Sequence, residues 1–470
     1  MAAASDLQAA FWILVQDAER RFDAAERRLE ELDRSLSDRL EERSHRTFVE
    51  LLSLLTANAR LQVTERAGLF ERNDDERLRR SFYKFVRNLA EQFGEKVESP
   101  LRLLESGRSE MIELFAGPMS RLAKQVVPDA EVVFLPSTRS LYVIEPFTAR
   151  DASKLLDDGG ATMRRELGRT QILQLRYPAA RSDELFQHAV FAHELGHAAL
   201  LQPLPAAPGE TADEARMWET EAAGQLPSNA AEVRSGGAPA LRNWFTELAC
   251  DVLAMRLIGP VFAVAFAEVT AVHRKSEADG IRGSHPAPAL RFAVLREELE
   301  RFCALLPDDV AASLRAYAEV HEGTHGGEPP SAEAEAWLRE ALARLRASLP
   351  ELLGPGEAEY RPETLASDLP TVREAIARSA YPAERIVALE APSAREWSIP
   401  LDWRSILNGA LLDHLARAAA PSADGLADGR RARSDATRFA AGGIELSELH
   451  RRSAGLIAQA APFNRPGTGP

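Results

Sequence analysis

The stretch that most restricts how this chain can fold is FAHELGHAALL, residues 191–201, which contains the spacing H-E-x-x-H. On an α-helix, positions i and i+4 lie one turn apart on the same face, so His193 and His197 point in one direction. Two imidazoles in that arrangement can bind one zinc ion at about 2.0–2.1 Å. Glu194, next to the first histidine, can reach a zinc-bound water as a general base. The motif therefore predicts a helix with a metal site on one face.

The residues around the motif favour a helix, but the motif needs support from its context. SDELFQHAVFAHELGHAALL is rich in alanine and leucine, lacks proline, and has Ser182 where an N-cap is expected. By chance, H-E-x-x-H is expected in roughly one chain in a hundred of this length. A second copy, HEGTH, contains Gly323 and is followed by GGEPP. These residues predict a helix end, which leaves His321 and His325 without a shared face.

Support comes from a later segment, NWFTELACDVLAMRLIGP, which places Glu247 and Asp251 one helical turn apart. A catalytic zinc usually takes three protein ligands and leaves one position for water, so Glu247 is the expected third ligand. Asp251 is expected to accept a hydrogen bond from a ligand imidazole and to fix its tautomer. The alternative is a solvated acidic pair, which the apolar segment disfavours because a carboxylate there needs a partner. Cys250 is interpreted as a small core residue.

HELGH followed by E-x-x-x-D resembles the gluzincin metallopeptidases, and a third element narrows the resemblance. SHPAPALR, residues 284–291, is similar to the H-P-x-x-x-x-R element of the HtpX and CAAX prenyl protease family. The resemblance covers about residues 130–300 and implies a zincin-like fold, a zinc cofactor, and a peptide or protein substrate. It assigns His285 and Arg291 to contacts with the substrate or the oxyanion of the reaction. The alternative is a turn and then a helix started by Pro286, with Arg291 on its solvent face.

The composition excludes several other classes. Of the 470 residues, 45% are hydrophobic and 27% charged, which indicates globular domains. The net charge of −14 disfavours a general binder of nucleic acid or of anionic membranes, because such binders need a basic face. No membrane span is expected, unlike in many members of that family, because no apolar run reaches about 18 residues. Two cysteines and the lack of a signal peptide predict a cytoplasmic protein.

The expected fold class is α+β, mainly α, in three regions. Residues 1–126 are predicted to be helical, and their apolar spacing from 17 to 44 fits either a coiled-coil-like helix or an antiparallel helical hairpin. This region is a candidate surface for a protein partner. Residues 127–300 are expected to form the zincin-like catalytic domain, and residues 301–470 a helical region with a mobile tail.

Strand signals appear just before the metal helix. AEVVFLP (130–136) and SLYVIEP (140–146) flank Ser-Thr-Arg and predict a hairpin, while QILQLRYP (171–178) is a third candidate strand. An edge strand near the metal is a common place for a substrate backbone to bind. The segment 203–240, rich in Pro, Ala, Gly and Glu, is long for a loop and is predicted to be a mobile cover over the cleft.

These features together predict a zinc metalloendopeptidase in which Glu194 moves a proton from water to the leaving amine. Two alternatives stay open. The first is a partner-binding scaffold or sensor with a latent zinc site. The intact Glu194 argues against it, because a structural zinc usually has four protein ligands and needs no base. The second is a zinc hydrolase of non-peptide amides, which the motif does not distinguish from a peptidase.

Overall fold

The computed structural model of the chain describes residues 2–36, 40–105, 110–137, 142–147, 155–156, 161, 165, 171–179, 184–200, 238–273, 285–324, 332–354, 358–378 and 401–419. These residues form many helices and one small sheet, so the predicted α+β, mainly α class is confirmed. Among the described helices, none is both long and apolar enough to cross a membrane. The chain divides into two compact units, and each is described by itself.

The first unit contains residues 1–109 and 128–182. Its helices are α1 (Ala2–Ser35), α2 (Leu40–Glu71), α3 (Glu76–Phe93), a π-helical turn (Gly94–Glu98) and α4 (Ser99–Glu105). The start of α1 contacts the end of α2, and the end of α1 contacts the start of α2. The pairs along the two helices are Phe11–Phe70, Asp23–Arg60 and Asp33–Arg46. The two helices are therefore antiparallel, which is the hairpin alternative for this region. Phe22, Ala25 and Leu29, at spacings of three and four, are buried in its core.

The sheet of this unit contains β1 (Ala130–Ser137), β2 (Val143–Phe147) and β3 (Gln171–Pro178), in the order β1–β3–β2. β3 is parallel to β1 and antiparallel to β2. The predicted β1–β2 hairpin is therefore wrong, because β3 lies between the two strands. Most residues of β1 and β3 are buried, as in strands covered on both faces, whereas only Phe147 is buried in β2.

In the second unit, residues 110–127 and 183–470, all the described elements of secondary structure are helices. Its helices are α5 (Glu110–Val126), α6 (Phe191–Leu200), α7 (Ala238–Ile258), α8 (Val261–His273), α9 (Pro288–Cys303), α10 (Asp308–Thr324), α11 (Ala332–Leu352), α12 (Pro362–Arg378) and α13 (Trp403–Ala419). A short 3-10 helix, Leu185–Val190, leads directly into α6. The HELGH helix thus begins as a regular α-helix at Phe191.

The corner between α7 and α8 is fixed by side chains from elsewhere in the second unit. Gly259 ends α7 with a φ of 86°, a conformation that costs glycine little. Asn408 spans the corner: its amide nitrogen donates to the Ile258 carbonyl at 2.7 Å, and its oxygen accepts from the Val261 N–H at 2.7 Å. α7 packs on α6 and on α9. This packing holds α7 in place beside the HELGH motif.

Some of the predictions fall outside the described residues. These are Ser182 as an N-cap, the tail after 419, and the predicted cover over 203–240 as far as residue 237. The last three residues of that segment begin α7. In the division into two units, β1 to β3 group with the N-terminal helices. The three-region division and the zincin-like domain stay predictions.

Candidate metal centre

Two packed helices of the second unit build the candidate site. α6 carries His193 and His197, and α7 carries Glu247, Cys250 and Asp251. Spacings of three and four residues place each set on one helix face. The polar side chains are largely withdrawn from solvent: His193 is 5% exposed, Glu247 8% and Asp251 0%. Buried polar groups of this kind need partners, and the two faces provide them to each other.

Gly196, inside the HELGH motif, allows α6 and α7 to approach closely. A Cβ atom added at this position would lie 3.1 Å from the Cα of Cys250 and 3.2 Å from its Cβ. The backbone of α7 can only avoid such a contact by moving away from α6, because packed interiors have little spare volume. The glycine therefore sets the helix spacing at which Glu247 reaches the histidines.

The carboxylate oxygens of Glu247 lie at nearly equal distances from ring nitrogens of His193 and His197. Its Oε2 is 3.4 Å from Nε2 of His193, and its Oε1 is 3.5 Å from Nε2 of His197. Hydrogen bonds from N–H to oxygen are shorter, about 2.7–3.2 Å. Ligand atoms bound at about 2.0–2.1 Å to a tetrahedral ion are about 3.3–3.4 Å apart. Each of the two imidazole nitrogens thus faces a different oxygen of Glu247 at close to that separation.

Asp251 holds the ring of His193. Its Oδ1 is 2.9 Å from Nδ1 of His193, so Nδ1–H donates to the carboxylate and Nε2 is left to face Glu247. The ring of Phe262, on α8, lies nearly parallel to the imidazole, with centroids 6.1 Å apart and planes 8° apart. The sequence predicted that Asp251 accepts a hydrogen bond from a ligand imidazole, and in the structure that imidazole is His193.

Arg291, on α9, is buried against the same carboxylate. Its Nε and Nη2 are 2.7 Å and 2.6 Å from the two oxygens of Asp251. Its Nη1 is 3.4 Å from Oε2 of Glu247, and the guanidinium lies 4.2 Å from the ring centroid of Phe266. The solvent-face alternative for Arg291 is therefore wrong, and the helix begins at Pro288 rather than at Pro286. These contacts favour a positioning role, and a contact between Arg291 and substrate stays a prediction.

The charges of the centre depend on one another. Burial disfavours an ionised Asp251, but Arg291 and His193 outweigh it and lower its pKa. Burial opposes ionisation of Glu247 as well, yet contacts with His193 and Arg291 lower its pKa to about 2. Burial also disfavours a charged His193, but its contacts with Asp251 and Glu247 raise its pKa to about 9. For His197, burial and the neighbouring His193 lower the pKa to about 4. Two carboxylates thus face one guanidinium, and either a proton on His193 or a metal cation can supply the missing positive charge.

Cys250 is a candidate ligand that the sequence analysis missed. One ligand atom from each of His193, His197 and Cys250 lies within 4.8 Å of the others. The thiol is fully buried, and burial raises its pKa well above the usual value. Glu247, the third ligand predicted from the sequence, has one oxygen 3.4 Å from Nε2 of His193 and the other 3.5 Å from Nε2 of His197. Cys250 stands three residues after Glu247 on the same helix face, but this spacing alone does not distinguish a ligand from a small core residue.

The remaining predicted residues lie at the edge of this group. His285 precedes α9, its side chain is 47% exposed, and its Nε2 is 3.5 Å from Oε1 of Glu247. Glu194 is partly buried and follows the first histidine on α6. His285 is thus brought to the predicted ligands while staying accessible from solvent, and the catalytic roles of both residues stay predictions.

The second H-E-x-x-H copy has a different environment. His321 lies on α10, where its ring is 4.5 Å from that of Tyr317 and 5.6 Å from that of Phe292, centroid to centroid. α10 ends at Thr324, and His325 lies outside the described residues. Within the part of the chain that the structure describes, the grouped candidate ligands are those between α6 and α7. His321 is therefore part of an aromatic cluster.

Comparison with known proteins yields no relative: no protein family, no curated protein and no solved structure matches the chain. The resemblance to gluzincin peptidases therefore stays a prediction based on the three motifs. What supports a function for this chain is the arrangement of its own residues.

Proposed function

We propose that this chain is a zinc-dependent peptidase whose metal is held by His193, His197 and Glu247. The observation that carries the proposal is the spacing of 3.4 and 3.5 Å between the carboxylate oxygens and the two Nε2 atoms. Each of these separations is close to that between two ligand atoms on one tetrahedral ion. The buried excess of carboxylate over guanidinium also favours a cation at this place, because a buried charge needs compensation.

The donor set supports zinc as the ion. Two imidazoles and one carboxylate are a usual set for a catalytic zinc, which keeps a fourth position for water or substrate. A zinc ion bound there would act as a Lewis acid toward a water molecule and toward the carbonyl oxygen of a substrate.

The residues around the ligands would hold the site in its working form. Asp251 accepts the Nδ1–H of His193, which keeps the Nε2 lone pair directed at the centre. Arg291 keeps Asp251 ionised and fixes the plane of its carboxylate through two contacts. Three helices, α6, α7 and α9, thereby contribute to the orientation of one imidazole.

Glu194 is the proposed general base. It follows the first ligand on α6, so it stays beside the centre without being needed as a ligand. It accepts a proton from the attacking water and returns it to the leaving amine. The accessible imidazole of His285 would donate to the carbonyl oxygen as negative charge develops there.

A scaffold or sensor with a closed zinc site is the second candidate. The observation that favours it is Cys250, a further donor within 4.8 Å of the histidine ligand atoms. A structural zinc is usually closed by four protein ligands and has no position for water. In that case the protein would bind zinc and hydrolyse nothing.

The test combines metal analysis with a peptide library read by mass spectrometry. We expect one zinc per chain in the wild type and in Glu194→Gln, and hydrolysis by the wild type alone. Removal of a general base lowers the rate by roughly 10²–10⁴-fold. Glu351→Gln, at an exposed glutamate near the end of α11, is the matched control and should stay active. A wild type that holds zinc but cleaves no peptide would favour the closed site, and a zinc-free wild type would contradict both candidates.

A further inference from the structure

We propose that Cys250 is a metal ligand, and that with His193 and His197 it forms a second donor set that takes a soft, thiol-preferring ion. The proposed zinc site uses Glu247 as its third ligand and leaves Cys250 without a role. The inference shares the two histidines with that proposal, but it concerns metal selection and does not depend on hydrolysis.

The geometry brings the thiol to the histidines. The ligand atoms of Cys250, His193 and His197 lie within 4.8 Å of one another. A tetrahedral ion with bonds of about 2.0–2.1 Å to nitrogen and 2.3 Å to sulfur separates these atoms by about 3.5 Å. The separations must therefore shorten by up to about 1.3 Å on binding.

Gly196 has no side chain to stand between α6 and the sulfur of Cys250. A Cβ atom at this position would lie 3.3 Å from Sγ of Cys250, so any larger side chain would stand against the sulfur. With glycine there, the thiol faces the backbone of α6 directly, between the two histidines in sequence. The other cysteine of the chain, Cys303, has a different environment: it is the last residue of α9, and its Sγ is 3.9 Å from the carbonyl oxygen of Ala311 on α10.

The two candidate third ligands differ in chemical softness. A carboxylate suits hard ions, whereas a thiolate selects soft ones. Glu247 and Cys250 stand three residues apart on one face of α7. Either side chain can therefore be the third ligand of an ion bound by the two imidazoles. When a soft ion binds, the S–H bond of Cys250 breaks, a sulfur–metal bond forms, and the proton passes to solvent without any change of oxidation state.

Cd²⁺ is the probe, and the readout is the sulfur-to-metal charge-transfer absorption in the ultraviolet. Metal-free protein should develop this band at one Cd²⁺ per chain. The chain has two cysteines, so a band that persists in Cys303→Ala comes from Cys250. Cys250→Ala and Cys250→Ser should lose the band and bind Cd²⁺ more weakly. The loss of Cd²⁺ affinity should exceed the roughly 10–100-fold loss that follows when a residue hydrogen-bonded to a ligand is removed.

The outcomes separate this inference from the proposed function. No band in Cys303→Ala, or an unchanged band in a folded Cys250→Ala, would overturn the assignment. Glu247→Ala should bind zinc more weakly and keep the Cd²⁺ band, because the soft donor set does not include it. A chain that shows the band but never hydrolyses peptides would refute the peptidase and leave the thiol site standing. Peptide hydrolysis without the Cd²⁺ band would support the peptidase and refute the thiol site.

Discussion

Arg291 and Asp251 form a two-point ion pair, with Nε 2.7 Å from Oδ2 and Nη2 2.6 Å from Oδ1. The same Oδ1 is 2.9 Å from Nδ1 of His193. One carboxylate therefore connects an arginine of α9 to the first proposed metal ligand on α6. Because both charged groups are buried, each depends on the other for compensation.

Asp251→Asn should weaken zinc binding without removing a ligand. The amide oxygen can still accept from His193, but the neutral side chain no longer balances Arg291 or raises the basicity of the imidazole. Loss of such a partner costs roughly 10–100-fold in metal affinity. Competition titration with a chelator measures the change. Asp309→Asn, at an exposed aspartate paired with Arg373, is the control and should bind zinc normally. Equal affinities for the two variants would mean that Asp251 has no part in the site.

Arg291→Met should destabilise the second unit, because it leaves Asp251 buried without its charge partner. Breaking a buried pair in this way costs about 3–5 kcal/mol. Arg291→Lys should recover part of this loss, since an ammonium keeps the charge but cannot make two parallel contacts. Urea denaturation of the metal-free variants measures both. The same substitution at Arg339, an exposed residue of α11, should change little. If Arg291→Met and Arg339→Met had the same stability, the ion pair would not be a structural support.

Gly196→Ala should lose both stability and zinc affinity. The new Cβ would lie 3.1 Å from the Cα of Cys250, and α7 must move away to relieve the contact. Overpacking of this kind costs about 1–3 kcal/mol, and the shift separates Glu247 from the histidines. Gly68→Ala on α2 is the control, because its Cβ would meet only the end of the Arg72 side chain at 3.5 Å. Thermal denaturation and zinc titration compare the two. Unchanged zinc affinity in Gly196→Ala would show that helix spacing does not determine the site.

His285→Ala should lower kcat and keep the zinc. An exposed donor beside Glu247 acts mainly on charge that appears in the transition state, so its removal should cost roughly 10²–10³-fold in kcat. Steady-state kinetics and metal analysis on the same preparation test this. Zinc loss in His285→Ala would instead make His285 a ligand, and wild-type kcat would leave it as part of a turn before α9.

Local patterns in the sequence were sufficient for the elements that carry the site. The helix of HELGH and the helix of E-x-x-x-D follow from the spacing of residues on one helix face, which backbone geometry imposes on neighbouring residues. The proximity of His193, His197 and Glu247 could be predicted for the same reason. Each pair of positions one turn apart presents a shared face, and metal chemistry predicts that two such faces meet.

Tertiary structure alone decided the partners of residues far apart in the chain. β1 and β2 were predicted to form a hairpin because only a short segment separates them in the sequence, but both pair with β3, which lies between them. Arg291 was predicted to contact the substrate or the oxyanion, with a solvent face as the alternative, but the packing of α9 on α7 places it against Asp251. Cys250 was indistinguishable from a small core residue, because only the close approach of α6 at Gly196 brings its sulfur to the histidines. Periodicity determines which face a side chain occupies, whereas the packing of distant helices determines what that face meets.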